Sequence, residues 1–224
     1  FPLVHNLELK DVDYSAAATL QDVALPDIAF DRDLTEGALA LKLDRSAVQV
    51  DGAAKLAGVP VSLAWRQSLD AKATVRTHYQ VKAALDGAQR DALGLGALDG
   101  LLNGTALVDA SYDLGRGKRG RAAVTIDLTA AALAVPPIGL RKPAGAPAVA
   151  RLMLDLADDK LAAIPEATLT GDGLDVKASA RFDATGLSGL AIDHFIAGDN
   201  DFSGTLARGP DDGWRIAASG KSLD

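Results

Sequence analysis

The chain has 224 residues, 48% of them hydrophobic but only 4% aromatic, with 30 acidic against 23 basic side chains and a net charge of −7. That balance argues against a nucleic-acid partner, because phosphate contacts need clustered Lys and Arg. The absence of cysteine excludes a disulfide framework, thiolate metal sites and a Cys nucleophile.

Residues 3–9 read as a strand, with a turn beginning near Asp11. Residues 20–28 are a second candidate, and Pro26 marks it as an edge strand or a strand end, because proline cannot donate to a ladder. Leu39, Leu41 and Leu43 alternate with Ala40 and Lys42. Residues 47–50 follow across Asp44 and Arg45, a connection tight enough to predict a hairpin. Asp51-Gly52 and Ala57-Gly58 are further turn signals. Val59, Val61, Leu63 and Trp65 then alternate with Pro60, Ser62, Ala64 and Arg66. The run 73–85 places Val75, Thr77, Tyr79, Val81, Ala83 and Leu85 on one face, with Arg76, His78, Gln80 and Lys82 on the other.

Residues 86–102 break this beat. Asp86 as an N-cap, followed by Ala88, Ala92 and Leu93, predicts a short helix ending near Gly94 and Gly96. Alternation resumes at 105–114, 122–128 and 131–135. After a turn containing Pro136, Pro137 and residues 139–145, strands are expected at 149–156, 167–170, 174–182, 190–196, 201–206 and 214–219. The basic run Arg116, Lys118, Arg119 and Arg121 reads as a solvated hairpin tip, with anionic lipid head groups as the sharper alternative.

A dozen or more short strands with regular turn signals predict an all-β fold of antiparallel, meandering strands with one short helix. Open twisted sheets rarely exceed about ten strands without curling, so a long, strongly curled sheet forming a groove or trough is expected. Residues 1–85 would be a first β-sheet segment, 86–102 a helical interruption, and 103–224 a second segment continuing the same sheet. The chain opens in mid-pattern at Phe1-Pro2-Leu3-Val4, with no apolar stretch of about 18 residues and no signal-peptide pattern. It reads as a piece of something longer, with any anchor or export signal outside it.

No catalytic constellation accompanies these runs, and the expectation is a non-enzymatic protein without cofactor or metal. His5, His78 and His194 are far apart, and Asp193-His194 has no Gly-x-Ser-x-Gly elbow to complete a triad. Residues 198–201 and 211–213 have calcium-loop residue types without the calcium-loop spacing and read as hairpin turns. Gly94-Leu95-Gly96 lacks the strand–helix setting of a dinucleotide fingerprint.

Three stretches resemble the AsmA-like proteins, specifically the YhdP-type branch related to AsmA and TamB. They are residues 48–66, a strand–turn–strand unit ending in Trp65-Arg66; residues 133–145 with the strand after them; and residues 202–224, which include Gly213-Trp214-Arg215-Ile216. The resemblance implies a long periplasmic protein of cell-envelope and outer-membrane biogenesis, tethered to the inner membrane by a segment outside this one. It implies repeated β units with an apolar inner groove that binds and conducts phospholipid between the inner and outer membranes. Its partners would be phospholipid acyl chains, other segments of the same chain and envelope proteins. It transfers no catalytic residues.

Acyl chains need a continuous apolar surface, since each buried methylene gains about 0.8 kcal/mol on leaving water. The residues expected to line that surface are Leu39, Leu41, Leu43, Val59, Val61, Leu63, Val75, Tyr79, Val81, Val124, Ile126, Leu128, Leu152, Leu154, Val176, Phe182 and Ile192. On that reading Leu63→Asp or Ile126→Asp abolishes lipid co-purification and leaves the fold intact. The alternative is a non-catalytic β-scaffold or partner-binding module in envelope assembly, its inner face filled by its own side chains and its edges open to partner strands.

Overall fold

The computed structural model describes residues 13–29, 31–158, 160–209 and 213–222. The strand expected at residues 3–9, and His5 with it, lies outside the described residues. The alternating runs form β1 (Ser15–Ala29), β2 (Arg32–Asp44), β3 (Ala47–Leu56), β4 (Val59–Ser68), β5 (Val75–Leu85), β6 (Leu102–Gly104), β7 (Ala106–Gly115) and β8 (Arg119–Asp127). They continue as β9 (Ala131–Val135), β10 (Leu140–Lys142), β11 (Ala148–Ala157), β12 (Lys160–Gly171), β13 (Leu174–Asp183), β14 (Gly186–Ala197), β15 (Asn200–Arg208) and β16 (Trp214–Ser222). Thirteen of them make one antiparallel sheet in simple chain order. It omits β6, β9 and β10, and among the described residues β1 and β16 are its edges.

The strands meander because most connections are tight turns with their own chemistry. Asp44 accepts from the N–H groups of Ser46 and Ala47 and from the Ser46 hydroxyl, closing the β2–β3 hairpin expected at this point. Asp183 holds Thr185 in the same way between β13 and β14. Ala57 and Gly58 join β3 to β4 with φ of 49° and 81°. A two-residue turn with both φ positive is the type that matches strand twist, and Asn carries that conformation at lower strain than Ala. Ala57→Asn is therefore expected to raise stability by about 0.5–1 kcal/mol, read from urea unfolding. Asp51-Gly52 is no turn: both residues lie inside β3, and Gly52 stands where a Cβ would meet the Ala38 carbonyl oxygen at 2.1 Å. Glycine there permits close approach of strands rather than reversal.

The edge strand β1 carries Pro26 and two non-glycine residues with positive φ, Asp22 and Asp27, and its register against β2 shifts three times. Bulges and proline are the devices by which an exposed edge discourages further pairing.

The expectation of a strongly curled sheet fails. The sheet is open, and the reason lies between β8 and β11. There β9, read from sequence as one more strand of the series, leaves the main sheet and pairs with two three-residue strands, β6 and β10, as a separate small sheet. Gly104, with φ of 99°, makes the corner where the chain passes from β6 to β7, and a Cβ there would sit 2.8 Å from the Ala130 carbonyl oxygen. The small sheet supplies the second layer that a curled sheet would have supplied by folding over. Its Leu102, Ala131 and Leu140 are buried against Leu128, Ala148, Leu174, Phe195 and Ala197 of the main sheet and its ends. A second, thinner cluster, Leu34, Ala54 and Val61, lies at the other end of the strand order.

Between β5 and β6, Asp86 caps the helix α1 (Gly87–Ala92) with a reciprocal capping box to Gln89, as its sequence position suggests. The helix does not bury the alanine face that the sequence offers. Its buried residue is Arg90, 3% exposed, which donates to the carbonyls of Leu85 (3.1 Å), Gly104 (2.9 Å) and Leu102 (2.8 Å). Lys142 of β10 plays the same part on the far side: it is buried and donates to Ala131 O at 2.6 Å and Pro143 O at 2.9 Å. Burial holds its amine below the usual lysine range, against the raising influence of Asp127. Arg90 thus ties the small sheet to the end of β5, while Lys142 joins β10 to β9 within the small sheet, both through backbone carbonyls.

Candidate functional site: an apolar sheet face

Registers carry the alternation of single strands across the whole sheet. Residues directly opposite in a ladder share a face, so the pairing of Leu39 with Gly52, then Leu63, Val81, Ala110, Val124 and Leu152, defines one row. It continues through Ala167, Ala178, Ile192, Gly204 and Ala218 to the far edge. A parallel row runs from Ala54 through Val61, Ala83, Val108, Ile126 and Ala150 to Leu169 and Val176. A third holds Leu41, Val50, Trp65, Tyr79, Tyr112, Ala122 and Leu154. Bulges at Glu36, in β12 and in β14 restore this face wherever the sequence period slips.

The opposite face is a ladder of charge pairs. His78 Nδ1 meets Asp113 at 2.6 Å, Lys82 meets Asp109 at 2.9 Å, Arg121 meets Asp155 at 3.0 Å and His194 Nε2 meets Asp175 at 2.9 Å. His78 and His194 each face a single carboxylate. Among the described residues, no three His, Asp or Glu come together in a way that could hold a metal ion. Each exposed pair contributes little. Together they keep this face wet.

The structure places the expected residues of the apolar face in three settings. Leu39, Val59 and Val61 are buried by their neighbours on the face. Leu128 is buried beneath the small sheet, and Ile126, Val176 and Ile192 pack against that core. Leu41, Leu43, Leu63, Val81, Val124, Leu152, Leu154 and Phe182 are half-buried, while Val75 and Tyr79 are 42% and 40% exposed. Sequence reasoning left out Tyr112, which stacks on Tyr79 with ring centroids 6.0 Å apart. Its ring covers Gly120, where a Cβ would stand 2.3 Å from it. The signal was present, since Tyr112 alternates correctly in its strand, but its partner emerges only from the β5–β7 register.

The face is incompletely covered. A compact 23.0 kDa protein exposes about 9,600 Å², whereas this chain exposes 14122 Å². Among the described residues the largest fully buried side chain is Val59. The depressions of the sheet lie on the opposite face: one of about 640 Å³ follows the row Ala53, Ser62, Lys82, Asp109 and Thr125, with Leu107 beside it. It is a dip across the sheet rather than an enclosed chamber. Another, of about 300 Å³, lies over β14–β16 on that same opposite face, lined by Ala191, Asp193, Ser203, Thr205, Ala217 and Ser219.

Turn carboxylates give the sheet an acid sensitivity. Hydrogen bonds from the hydroxyls of Ser46, Thr129 and Thr185, then from the adjoining N–H groups, hold Asp44, Asp127 and Asp183 below the ordinary carboxylate range. A carboxyl depressed in the folded state contributes stability that is complete above the unfolded value of 3.8 and is lost as pH falls through the folded value. The melting temperature is expected to fall as pH drops below about 4, and a triple variant Ser46→Ala, Thr129→Val, Thr185→Val should show a shallower fall in the same thermal melts.

The class defined by these features is an all-β protein built on one open, antiparallel sheet, apolar on one face and charge-paired on the other. No protein-family model matches the chain, and no curated protein or solved structure matches it.

Proposed function

We propose that this chain is a lipid-holding segment of an AsmA-like periplasmic protein. Its apolar sheet face binds phospholipid acyl chains and lends them a path between inner and outer membranes. The observation that carries the reading is the rows of Leu, Val, Ala and Ile, continuous across the sheet and, among the described residues, left without a second layer beyond the reach of the small sheet. Exposed contiguous apolar surface on this scale marks an interaction site. Small aliphatic side chains suit flexible hydrocarbon better than a jigsaw partner. The chemistry is binding rather than catalysis. In this reading the chain works in the periplasm, anchored to the inner membrane by a segment outside it, beside further segments of the same sheet.

The test is native mass spectrometry of the protein purified from a bacterial envelope, with lipid extraction of the same sample. Co-purifying phospholipid supports the proposal. A well-folded, lipid-free protein favours the second reading, a scaffold that receives partner strands. That reading draws on the edge strand β16, whose Ile216 is 75% exposed.

A further inference from the structure

We propose that the lipid on this face is an individual anionic phospholipid, its head group at the tips of the β4–β5 and β7–β8 hairpins and its acyl chains directed toward the small sheet. The inference rests on the lipid-holding reading above and adds to it a head-group class and an orientation.

Three levels stack along the central strands. At the tips stand Lys72, Arg116 and Lys118, all exposed. The Arg116 guanidinium donates to the Ala71 carbonyl, so the two hairpin tips are joined and their cations share one end of the sheet. Among the described residues neither Lys72 nor Lys118 has an ion pair. The nearby acids are Asp70, whose carboxylate is turned onto the Lys72 N–H at 2.8 Å, and Asp158, whose N–H donates to Lys118 O at 3.0 Å. Clustered cations free of partners attract a phosphate.

One level in, on the apolar face, Trp65, Tyr79 and Tyr112 lie directly opposite one another on three successive strands of the sheet. Rings with an apolar body and a polar tip settle where head group meets hydrocarbon. Below them the rows are aliphatic. From Tyr79 to Leu85, at the end of β5, six residues span about 20 Å, enough for the roughly 15 Å of one leaflet's hydrocarbon. The turns at that far end carry Asp31, Asp86, Asp172 and Asp199, which repel a phosphate. Asp44 and Asp183 mark turns at the open end as well, each held by its own turn hydrogen bonds, so the cationic patch is confined to the tips of the β4–β5 and β7–β8 hairpins.

Trp65 reports on this directly once Trp214→Phe leaves it as the sole tryptophan. Vesicles of phosphatidylglycerol or phosphatidylcholine, brominated at acyl carbons 6,7 or 11,12, serve as probes by fluorescence quenching. The expected result is at least five-fold tighter binding of phosphatidylglycerol and stronger quenching by bromines at 6,7. Lys72→Glu with Lys118→Glu should remove the preference, bringing phosphatidylglycerol binding down to the level of phosphatidylcholine. Equal affinity for both lipids, unaffected by these substitutions, overturns the head-group assignment while the lipid-holding reading stands. Stronger quenching by the 11,12 bromines overturns the orientation. Phosphatidylglycerol binding without quenching at either depth means adhesion to a membrane surface and overturns the proposal. Absence of binding to either lipid overturns the lipid-holding reading itself.

Discussion

Arg90→Met is expected to lower the unfolding free energy by about 3–5 kcal/mol, a large share of the 5–15 kcal/mol typical of a domain. The side chain is 3% exposed and satisfies three carbonyls, those of Leu85, Leu102 and Gly104, which belong to the end of β5 and to β6. Methionine fills a similar volume but donates nothing, so all three oxygens are left desolvated and unpaired. Asp99, 3.6 Å from the guanidinium, loses its counter-ion as well. The loss should be local at first: amides of the small sheet exchange faster with deuterium, while those of β2–β4 keep their protection. Urea unfolding and hydrogen exchange measure the two parts. A cost below about 1 kcal/mol would mean that water replaces the guanidinium, and that the small sheet is not held by it.

The second large effect separates two residues that the sequence treats alike. Leu154 and Ile126 both alternate onto the apolar face. Ile126 packs against the core beneath the small sheet, whereas Leu154, half-buried, lies outside both core clusters. A buried carboxylate without a partner is strongly destabilising. Ile126→Asp is therefore expected to cost about 3 kcal/mol or more and to unfold much of the protein, contrary to the expectation drawn from sequence alone. Leu154→Asp should leave circular dichroism and melting nearly unchanged and reduce phospholipid binding at least ten-fold. Equal loss of folding in both would place Leu154 in a packed interior and remove the open face. Leu63 is intermediate, since it touches the Leu34–Ala54–Val61 cluster.

The long strands were legible because a period of two survives in Leu39–Leu43, Val59–Trp65 and Val75–Leu85 with nothing else to interpret. The β2–β3 hairpin was legible from the tight connection at Asp44 and Arg45; the turn at Asp183, built with the same hydrogen bonds, emerges only from the structure. The small sheet was not. Leu102–Gly104 and Leu140–Lys142 are three residues long, too short to display a period, and β9 alternates like its neighbours in sequence although it pairs elsewhere. The two buried cations were also invisible, because Arg90 falls in the expected helix and Lys142 in the expected turn at 139–145, and neither position signals burial. What betrays them is burial, a property of the assembled layers. For the apolar face, each strand announced its greasy side; which parts stay open was decided by the small sheet's position.

The chain's lack of cysteine allows each face of the sheet to be labelled at a single introduced thiol. Single-cysteine variants at Leu41 and Leu152 on the apolar face, and at Ser62 and Thr125 on the opposite face, can be labelled with an environment-sensitive fluorophore and titrated with phosphatidylglycerol vesicles. A blue shift and a rise in emission are expected at Leu41→Cys and Leu152→Cys, with no change at Ser62→Cys and Thr125→Cys. Equal responses from both faces, or none from either, would contradict lipid binding on the apolar face.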